Sequence, residues 1–128
     1  MDEAIRRALA RRNVIDITTT GRRTGQSRRI EIVFHSFDGR IYITGMPTET
    51  KRAWLANLEE IPAFTFHLKG NVGTPVADLP ALARVITNES ERRAIFARVI
   101  ETAWHQQDLA TMVDQSPLIE VTIEGLAA

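Results

Sequence analysis

A short segment near the start of the chain combines glycines, hydroxyl side chains and arginines. It runs from Thr18 to Arg29, reads TTTGRRTGQSRR and places Gly21 and Gly25 four residues apart. Glycines let the backbone turn and expose its N–H groups, and arginines add forked cationic donors that suit phosphate or carboxylate oxygens. These residue types are typical of an anion cradle. A hairpin loop with solvated arginines accounts for the same pattern, and spacing alone does not separate the two interpretations.

A second group of candidate residues follows at helical spacing. Lys51, Trp54 and Asn57 are three residues apart, so a helix would place a cation, an aromatic plate and an amide on one stripe. The alternative is structural, with Trp54 in the core and the two polar residues at its solvent edge.

Several chemistries are excluded by what the sequence lacks. It has no cysteine, which excludes a thiolate nucleophile, a disulfide framework and a zinc ribbon. The three histidines lack metal-ligand spacing, and the sequence contains no Gly-x-Ser-x-Gly, Walker or Gly-x-Gly-x-x-Gly motif. We therefore predict no metal, assign no catalytic side chain, and expect any redox chemistry to need a bound cofactor.

Length and charge narrow the class of protein further. The 128 residues are 44% hydrophobic and 25% charged, which predicts one soluble globular domain over residues 1–128. The 16 basic and 16 acidic residues cancel, which argues against binding nucleic acid by net charge. The first 29 residues nevertheless hold eight arginines against three acidic residues, so a local anion site is compatible with the neutral total. No apolar run reaches bilayer length and residues 1–13 lack the apolar core of a signal peptide, so we expect a cytoplasmic protein.

The pattern of apolar residues, turn residues and prolines predicts the elements that position these groups. Asp38-Gly39 is typical of a tight type I′ turn, and Pro75 with Pro80 indicates that the fifth strand is irregular or lies at a sheet edge. The predicted strands are Val14–Thr20, Ser27–Phe37, Arg40–Thr44, Ala63–Leu68, Val72–Ile86 and Leu118–Glu124. The predicted helices are Asp2–Arg12, a segment that opens between Pro47 and Thr50 and ends before Pro62, and Asn88 to about His105.

Locally connected antiparallel strands, in a chain too short for a sandwich with added helices, predict a mainly β protein with flanking helices. We expect a small closed or split β-barrel of five or six strands, with room for a cofactor in a groove between strands and a helix or between subunits. The first helix is amphipathic, with arginines opposite Ala4, Ile5, Ala8 and Leu9. It either docks on the barrel with a solvated basic face or lies on a membrane surface.

Four stretches resemble the deazaflavin (F420)-dependent nitroreductase and quinone reductase family, which has a split β-barrel like that of FMN-binding proteins. They are Ile17–Arg28, Trp54–Leu58, Phe66–Gly70 and Ala77–Pro80, and the resemblance extends from about Val14 to the last strand. It implies the coenzyme F420 and hydride transfer from the reduced coenzyme to a quinone, a nitroaromatic or an unsaturated ketone. FMN is the alternative cofactor.

The resemblance also implies roles for the candidate residues. The cofactor phosphate would be held by Arg22, Arg23, Thr24 and Arg28, and the ring system and tail would be bordered by Thr44, Gly45, Met46, Lys51, Trp54 and Asn57. After Arg29 the chain lacks the proline and substrate-facing aromatic of many members, so we assign Val33 and Trp104 to the substrate wall. The alternative for Trp104 is a place in the core. The basic first helix would meet the anionic polyglutamate tail of F420.

A protein of another class is the competing hypothesis. The same residues suit a non-catalytic module that binds a flavin, a deazaflavin or a lipid, with the first helix in contact with a membrane. The sequence is compatible with a monomer or a homodimer. It lacks an aromatic stacking stripe for nucleic acid, so we expect the partner to be a small-molecule acceptor.

Overall fold

The computed structural model describes residues 1–126, which contain six strands and four helices. The strands are β1 (Asn13–Thr20), β2 (Ser27–Phe37), β3 (Arg40–Thr44), β4 (Ala63–Lys69), β5 (Val76–Val85) and β6 (Leu118–Ile123). The helices are α1 (Glu3–Ala8), α2 (Ala53–Glu60), α3 (Glu89–Thr102) and α4 (Leu109–Gln115), with a short 3₁₀ turn at Asn71–Gly73. None of the helices within residues 1–126 has the length and apolar character that crossing a bilayer requires.

The strands form a closed antiparallel barrel in the order β1-β2-β3-β6-β5-β4. β4 pairs back with β1, where Ile17 lies opposite Phe66, and this pairing closes the barrel. The mainly β barrel with flanking helices that the sequence predicts is therefore confirmed.

The first three strands form the meander that their alternation predicts. Every second side chain points into the barrel, so Ile15, Ile17 and Phe34 are fully buried. At the turn between β2 and β3, Asp38 and Gly39 have φ values of 54° and 78°, as a type I′ turn requires. β1 pairs with β2 from end to end, which places their connecting loop at one end of the barrel.

The first helix docks on the barrel and is shorter than predicted. The Asp2 carboxylate accepts a hydrogen bond from the backbone N–H of Ala4 at 2.7 Å and caps the helix. Leu9, the residue after the helix, is only 2% exposed and packs in the barrel core. The predicted extension to Arg12 is wrong because the chain turns after Leu9 to enter β1.

The fifth strand is not the edge strand that its prolines predict. β5 pairs with β4 through Val76–Leu82 and with β6 through Ala81–Val85. Pro80 is tolerated because the pairing with β6 begins only at Ala81, so no ladder bond needs the missing proline N–H. Its carbonyl still accepts a hydrogen bond from the backbone N–H of Glu124 at 3.2 Å.

A second apolar cluster lies outside the barrel, where α3 and α4 pack together. α3 begins at the predicted cap, since the Asn88 side chain accepts from the Glu91 backbone N–H at 2.9 Å. Phe96, Val99 and Met112 are fully buried there. α4 was not predicted, because Leu109–Gln115 is short and mixes polar with apolar residues.

Arg92 of α3 ties this cluster to the barrel through backbone carbonyls. Its guanidinium donates to Ile86 and Val113 at 2.9 Å and to Ser116 at 2.5 Å, with a longer contact to Met112 at 3.4 Å. Burial lowers the pKa of Arg92 from its ordinary value. One side chain thus satisfies carbonyls at the end of β5, in α4 and before β6.

Replacing Arg92 tests this role. We expect Arg92→Met to lower the free energy of unfolding by about 3 kcal/mol, because buried carbonyls lose a charged donor. Urea denaturation measures the change. The matched control is Arg93→Met, since within residues 1–126 the Arg93 guanidinium pairs only with Glu89 at the surface, and it should cost less than about 1 kcal/mol. Equal losses for the two variants would contradict the assigned role.

Candidate functional site

The glycine and arginine segment forms a compact loop, Gly21–Gln26, between β1 and β2. The Gly21 N–H donates to the Gln26 carbonyl and the Gly25 N–H donates to the Gly21 carbonyl, both at 2.8 Å. Gly25 has a φ of 73°, which favours glycine. A Cβ at Gly21 would lie 3.0 Å from Thr24 Oγ1 and 3.2 Å from the Gln26 carbonyl oxygen, so a side chain there would crowd the turn.

Asn57 of α2 holds this loop through hydrogen bonds to Arg22. Its side chain is 3% exposed, and its Oδ1 accepts from the Arg22 backbone N–H at 3.2 Å and from Arg22 Nη1 at 2.9 Å. Its Nδ2 donates to Thr19 Oγ1 at 3.3 Å. The sequence predicts Asn57 beside the cofactor, whereas the structure places it between α2 and the loop that the cofactor would meet.

Two guanidinium groups at the loop have no protein partner. Arg23 and Arg28 are exposed, and within residues 1–126 neither forms a hydrogen bond or an ion pair. The neighbouring Arg29 differs, because its Nε lies 2.9 Å from Asp16 Oδ2. Uncompensated guanidinium groups on an exposed loop attract an anion, so this donor set fits a phosphate group.

A groove of about 460 Å³ runs between β2, β3, the start of α2 and the end of α3. We call it the tryptophan groove because both tryptophans of the chain line it. Six of its residues are among the predicted site residues: Val33, Thr44, Gly45, Met46, Trp54 and Trp104. Sequence reasoning missed its other lining residues, which are Ile30, Glu31, Ile32 and Arg52.

The loop and the tryptophan groove are neighbours along two elements. Trp54 and Asn57 lie three residues apart on α2, so the groove and the loop contact the same helix face. On β2, Arg28 precedes Ile30 by two residues, so both point to the same side of the strand. One elongated ligand is therefore able to reach both the unpaired cations and the apolar walls.

Lys51 lies apart from this arrangement. α2 begins at Ala53, later than predicted, so Lys51 precedes the helix and the predicted helical stripe is wrong for it. Its ammonium group pairs with Glu59 at 2.8 Å, and it does not line the tryptophan groove.

Arg52, which the sequence analysis missed, lines the groove instead. Its Nη2 donates to the Met46 carbonyl at 3.1 Å, and its Nε is buried without a partner. No sequence signal marked it, because its position depends on where α2 begins.

Trp104, which the sequence predicts in the substrate wall, packs against a buried histidine. Trp104 meets the ring of His35 edge to face at 5.1 Å, and Phe37 stacks on the other side at 6.0 Å. His35 is fully buried and neither ring nitrogen has a hydrogen-bond partner. Burial, with a smaller contribution from the charge of Arg12, lowers the pKa of His35 to about 4. The imidazole is neutral at pH 7 and acts as an apolar support for Trp104.

Comparison with known proteins places the chain in a family. Residues 2–124 match the family described as F420H(2)-dependent quinone reductase. The chain belongs to this family. This reductase is accordingly an F420-dependent oxidoreductase that acts on a small-molecule acceptor.

Solved structures with the same fold include an F420 reductase, 14% identical with a TM-score of 0.65 and 92% of each chain covered. A conserved hypothetical protein of Mycobacterium tuberculosis is 17% identical, with a TM-score of 0.71 over 97% of this chain and 81% of that chain. A FAD-binding protein of Mesorhizobium loti is 11% identical, with a TM-score of 0.62 over 97% and 91%. These likenesses show the fold. No curated protein matches the reductase.

Asn57→Ala removes the hydrogen bonds by which α2 holds the Gly21–Gln26 loop. We expect backbone amides of residues 21–26 to exchange hydrogen faster and the free energy of unfolding to fall by about 1 to 2 kcal/mol, because Arg22 loses a buried acceptor. Hydrogen exchange with mass spectrometry measures the first effect. Glu59→Ala on the solvent side of α2 is the control and should leave loop exchange unchanged. Unaltered exchange in Asn57→Ala would contradict the role of Asn57.

His35 predicts a dependence of stability on pH. The folded pKa of about 4 lies below the ordinary 6.5, so the unfolded chain binds a proton more readily. Stability is fully present above pH 6.5 and falls as the pH drops through 6.5 towards about 4. Relative to His35→Phe, the wild type should lose about 2 to 3 kcal/mol between pH 7.5 and pH 4.5.

Urea unfolding of both proteins at the two pH values measures this difference. His105→Gln, at an exposed position, controls for the removal of a histidine. A constant gap between wild type and His35→Phe would show that His35 is not buried in its neutral form.

Proposed function

We propose that the reductase binds F420 with its phosphate at the Gly21–Gln26 loop and its ring in the tryptophan groove, where it reduces a flat, electron-poor acceptor. Quinones, nitroaromatics and unsaturated ketones have this character. The observation that carries the proposal is the groove itself, which gathers side chains of four elements beside a loop with unpaired cations. When bound, the reduced deazaflavin supplies the hydride.

The loop supports the anionic end of the proposal. Arg23 and Arg28 present guanidinium groups whose forked geometry matches phosphate oxygens, and no carboxylate of residues 1–126 competes for them. The backbone N–H and Nη1 of Arg22 both donate to Asn57, so Arg22 helps to fix the loop. The loop is held by the protein before a ligand arrives, which reduces the entropy lost on binding.

The tryptophan groove supports the ring end. Trp54 and Trp104 provide aromatic surface, and Ile30, Ile32 and Val33 provide an apolar wall. Such walls orient a planar molecule and exclude water from the reacting atoms. Gly45 lines the groove without a side chain to fill it. A Cβ added there would lie 3.2 Å from Arg52 Nε.

The cofactor assignment is tested by titrating the purified protein with F420 and, separately, with FMN. Both tryptophans line the groove, so a bound ring should quench their fluorescence. We expect saturable quenching by F420 in the micromolar range, and Arg23→Ala or Arg28→Ala should weaken binding by roughly 1.5 to 3 kcal/mol, tenfold or more in Kd. Arg40→Ala is the control, because Arg40 is exposed and pairs with Glu120 on β6.

The outcomes separate the candidate functions. Tighter binding of FMN than of F420 would overturn the cofactor assignment, and unchanged affinity in both arginine variants would place the phosphate elsewhere. Binding of F420 without turnover of quinones, nitroaromatics or unsaturated ketones would identify a non-catalytic carrier. If Trp104 forms the acceptor wall, Trp104→Leu should raise KM for the acceptor by a larger factor than it raises the Kd for F420.

A further inference from the structure

A second and larger cavity lies on the other side of α2. It has a volume of about 590 Å³ and is bounded by α2, α3, α4 and the segment that enters β6. We call it the interhelix cavity. Four cationic side chains line it, and they are Lys51, Arg52, Arg92 and Arg93. The role proposed above for the loop and the tryptophan groove does not use this cavity.

Two of the four cations are neutralised by carboxylates. Lys51 lies 2.8 Å from Glu59 and Arg93 lies 3.2 Å from Glu89. Both pairs sit where side chains are substantially exposed, so they belong to the rim of the cavity.

The other two cations have no such partner. Within residues 1–126, neither Arg52 nor Arg92 forms an ion pair, and their N–H groups donate to backbone carbonyls instead. The remaining acidic residue of the lining, Asp114, is exposed and acts on Arg92 only through space. Carbonyls satisfy hydrogen bonds but do not balance charge, so neither guanidinium group is neutralised by a carboxylate in direct contact within residues 1–126.

The Ser116-Pro117 segment lines the same cavity as these two guanidinium groups. Arg92 Nη2 donates to the Ser116 carbonyl at 2.5 Å. On the other side, Arg52 Nε and the Pro117 ring both lie within 3.3 Å of the point where a Gly45 Cβ would stand, so Arg52 neighbours the Ser116-Pro117 segment. The Ser116-Pro117 segment therefore lies near both of these cations.

Two hydrogen-bond donors on residues of this lining are buried and have no hydrogen-bond partner within residues 1–126. Ser116 is 4% exposed, and in the part of the chain that the structure describes neither its Oγ nor the buried Nε of Arg52 has a hydrogen-bond partner. Buried polar groups in folded proteins nearly always have partners, and an unpartnered one costs free energy that a bound acceptor would restore. Both donors lie on residues that line the interhelix cavity.

We propose that the interhelix cavity binds a small anion, a phosphate or a carboxylate group, through Arg52 and Ser116, with Arg92 balancing its charge. The anion accepts hydrogen bonds from the Arg52 guanidinium and the Ser116 hydroxyl. Arg52 also lines the tryptophan groove and donates to the Met46 carbonyl of that groove. Occupation of the interhelix cavity therefore changes the surroundings of Trp54, which lies two residues from Arg52.

The test uses the cofactor-free protein in the Arg23→Ala, Arg28→Ala background, so that the loop does not contribute an anion site. Inorganic phosphate and succinate are titrated at constant ionic strength against chloride, with calorimetry and tryptophan emission as readouts. We expect saturable binding with one site per chain and a change in emission. Adding Arg52→Gln should weaken the binding about tenfold or more, and adding Ser116→Ala should weaken it severalfold.

Arg40→Gln in the same background is the matched control, and it should leave anion binding unchanged. Arg92 is not substituted, because its loss is expected to destabilise the fold. Absence of saturation, or equal affinity in the background protein and its Arg52→Gln derivative, would overturn the proposal. Because no cofactor is present, this result is independent of whether the reductase binds F420 as proposed above.

A second arm identifies the source of the anion. Phosphate binding is repeated in the wild-type protein saturated with F420. If phosphate binds with the same affinity and Arg52→Gln again weakens that binding, the site takes a free anion. If F420 displaces phosphate and Arg52→Gln weakens F420 itself, the anionic tail of the cofactor occupies the cavity. Both results support an anion site at Arg52 and Ser116.

Discussion

The closure of the barrel between β1 and β4 is the constraint on which the rest of the structure depends. Thr18 lies opposite Thr65 across this seam. The hydroxyl of Thr18 lies 2.6 Å from His67 Nε2, and His67 Nδ1 lies 2.6 Å from Asp78 on β5. These hydrogen bonds join three strands on the outside of the barrel. Inside the barrel, buried apolar pairs such as Ile17 and Phe66 stabilise the same seam. Such cross-strand hydrogen bonds add to the backbone ladder because their members are directly opposed or diagonal neighbours.

Closure decides where the candidate site lies. α2 leads directly into β4, and the loop Gly21–Gln26 follows β1, so pairing β4 with β1 brings α2 beneath that loop. Asn57 is then able to accept two hydrogen bonds from Arg22, although 35 residues separate them. The start of the same helix completes the tryptophan groove against β2 and β3. A pairing error at the seam would therefore separate the loop and the groove at once.

The distribution of charge follows from the same geometry. The chain has no net charge, and five of its fourteen arginines pair with carboxylates within residues 1–126, as Arg84 does with Glu91 and Glu120. The other nine form no ion pair there. Arg22, Arg23 and Arg28 lie at or beside the loop, Arg52 and Arg92 line the interhelix cavity, and Arg6, Arg7, Arg11 and Arg12 lie in or just after α1. A neutral protein can hold a local positive field when its acidic residues are committed elsewhere. This field faces the openings in which the reductase is proposed to bind anionic groups.

The sequence by itself determined the strands, the type I′ turn, the cap of α3 and the glycine loop, because each depends on residues adjacent in the chain. The alternation of Ile30, Ile32 and Phe34 is a property of one strand, and the φ values of Asp38-Gly39 are a property of one turn. Both follow from local sterics within a few residues. Resemblance supplied most of the residues that line the tryptophan groove. Only the tertiary structure decided that β5 is paired on both sides, that Asn57 is buried under the loop, and that Arg52 rather than Lys51 reaches the groove. Those facts depend on strand register and on the residue at which α2 begins, and both are set by contacts between segments far apart in the chain.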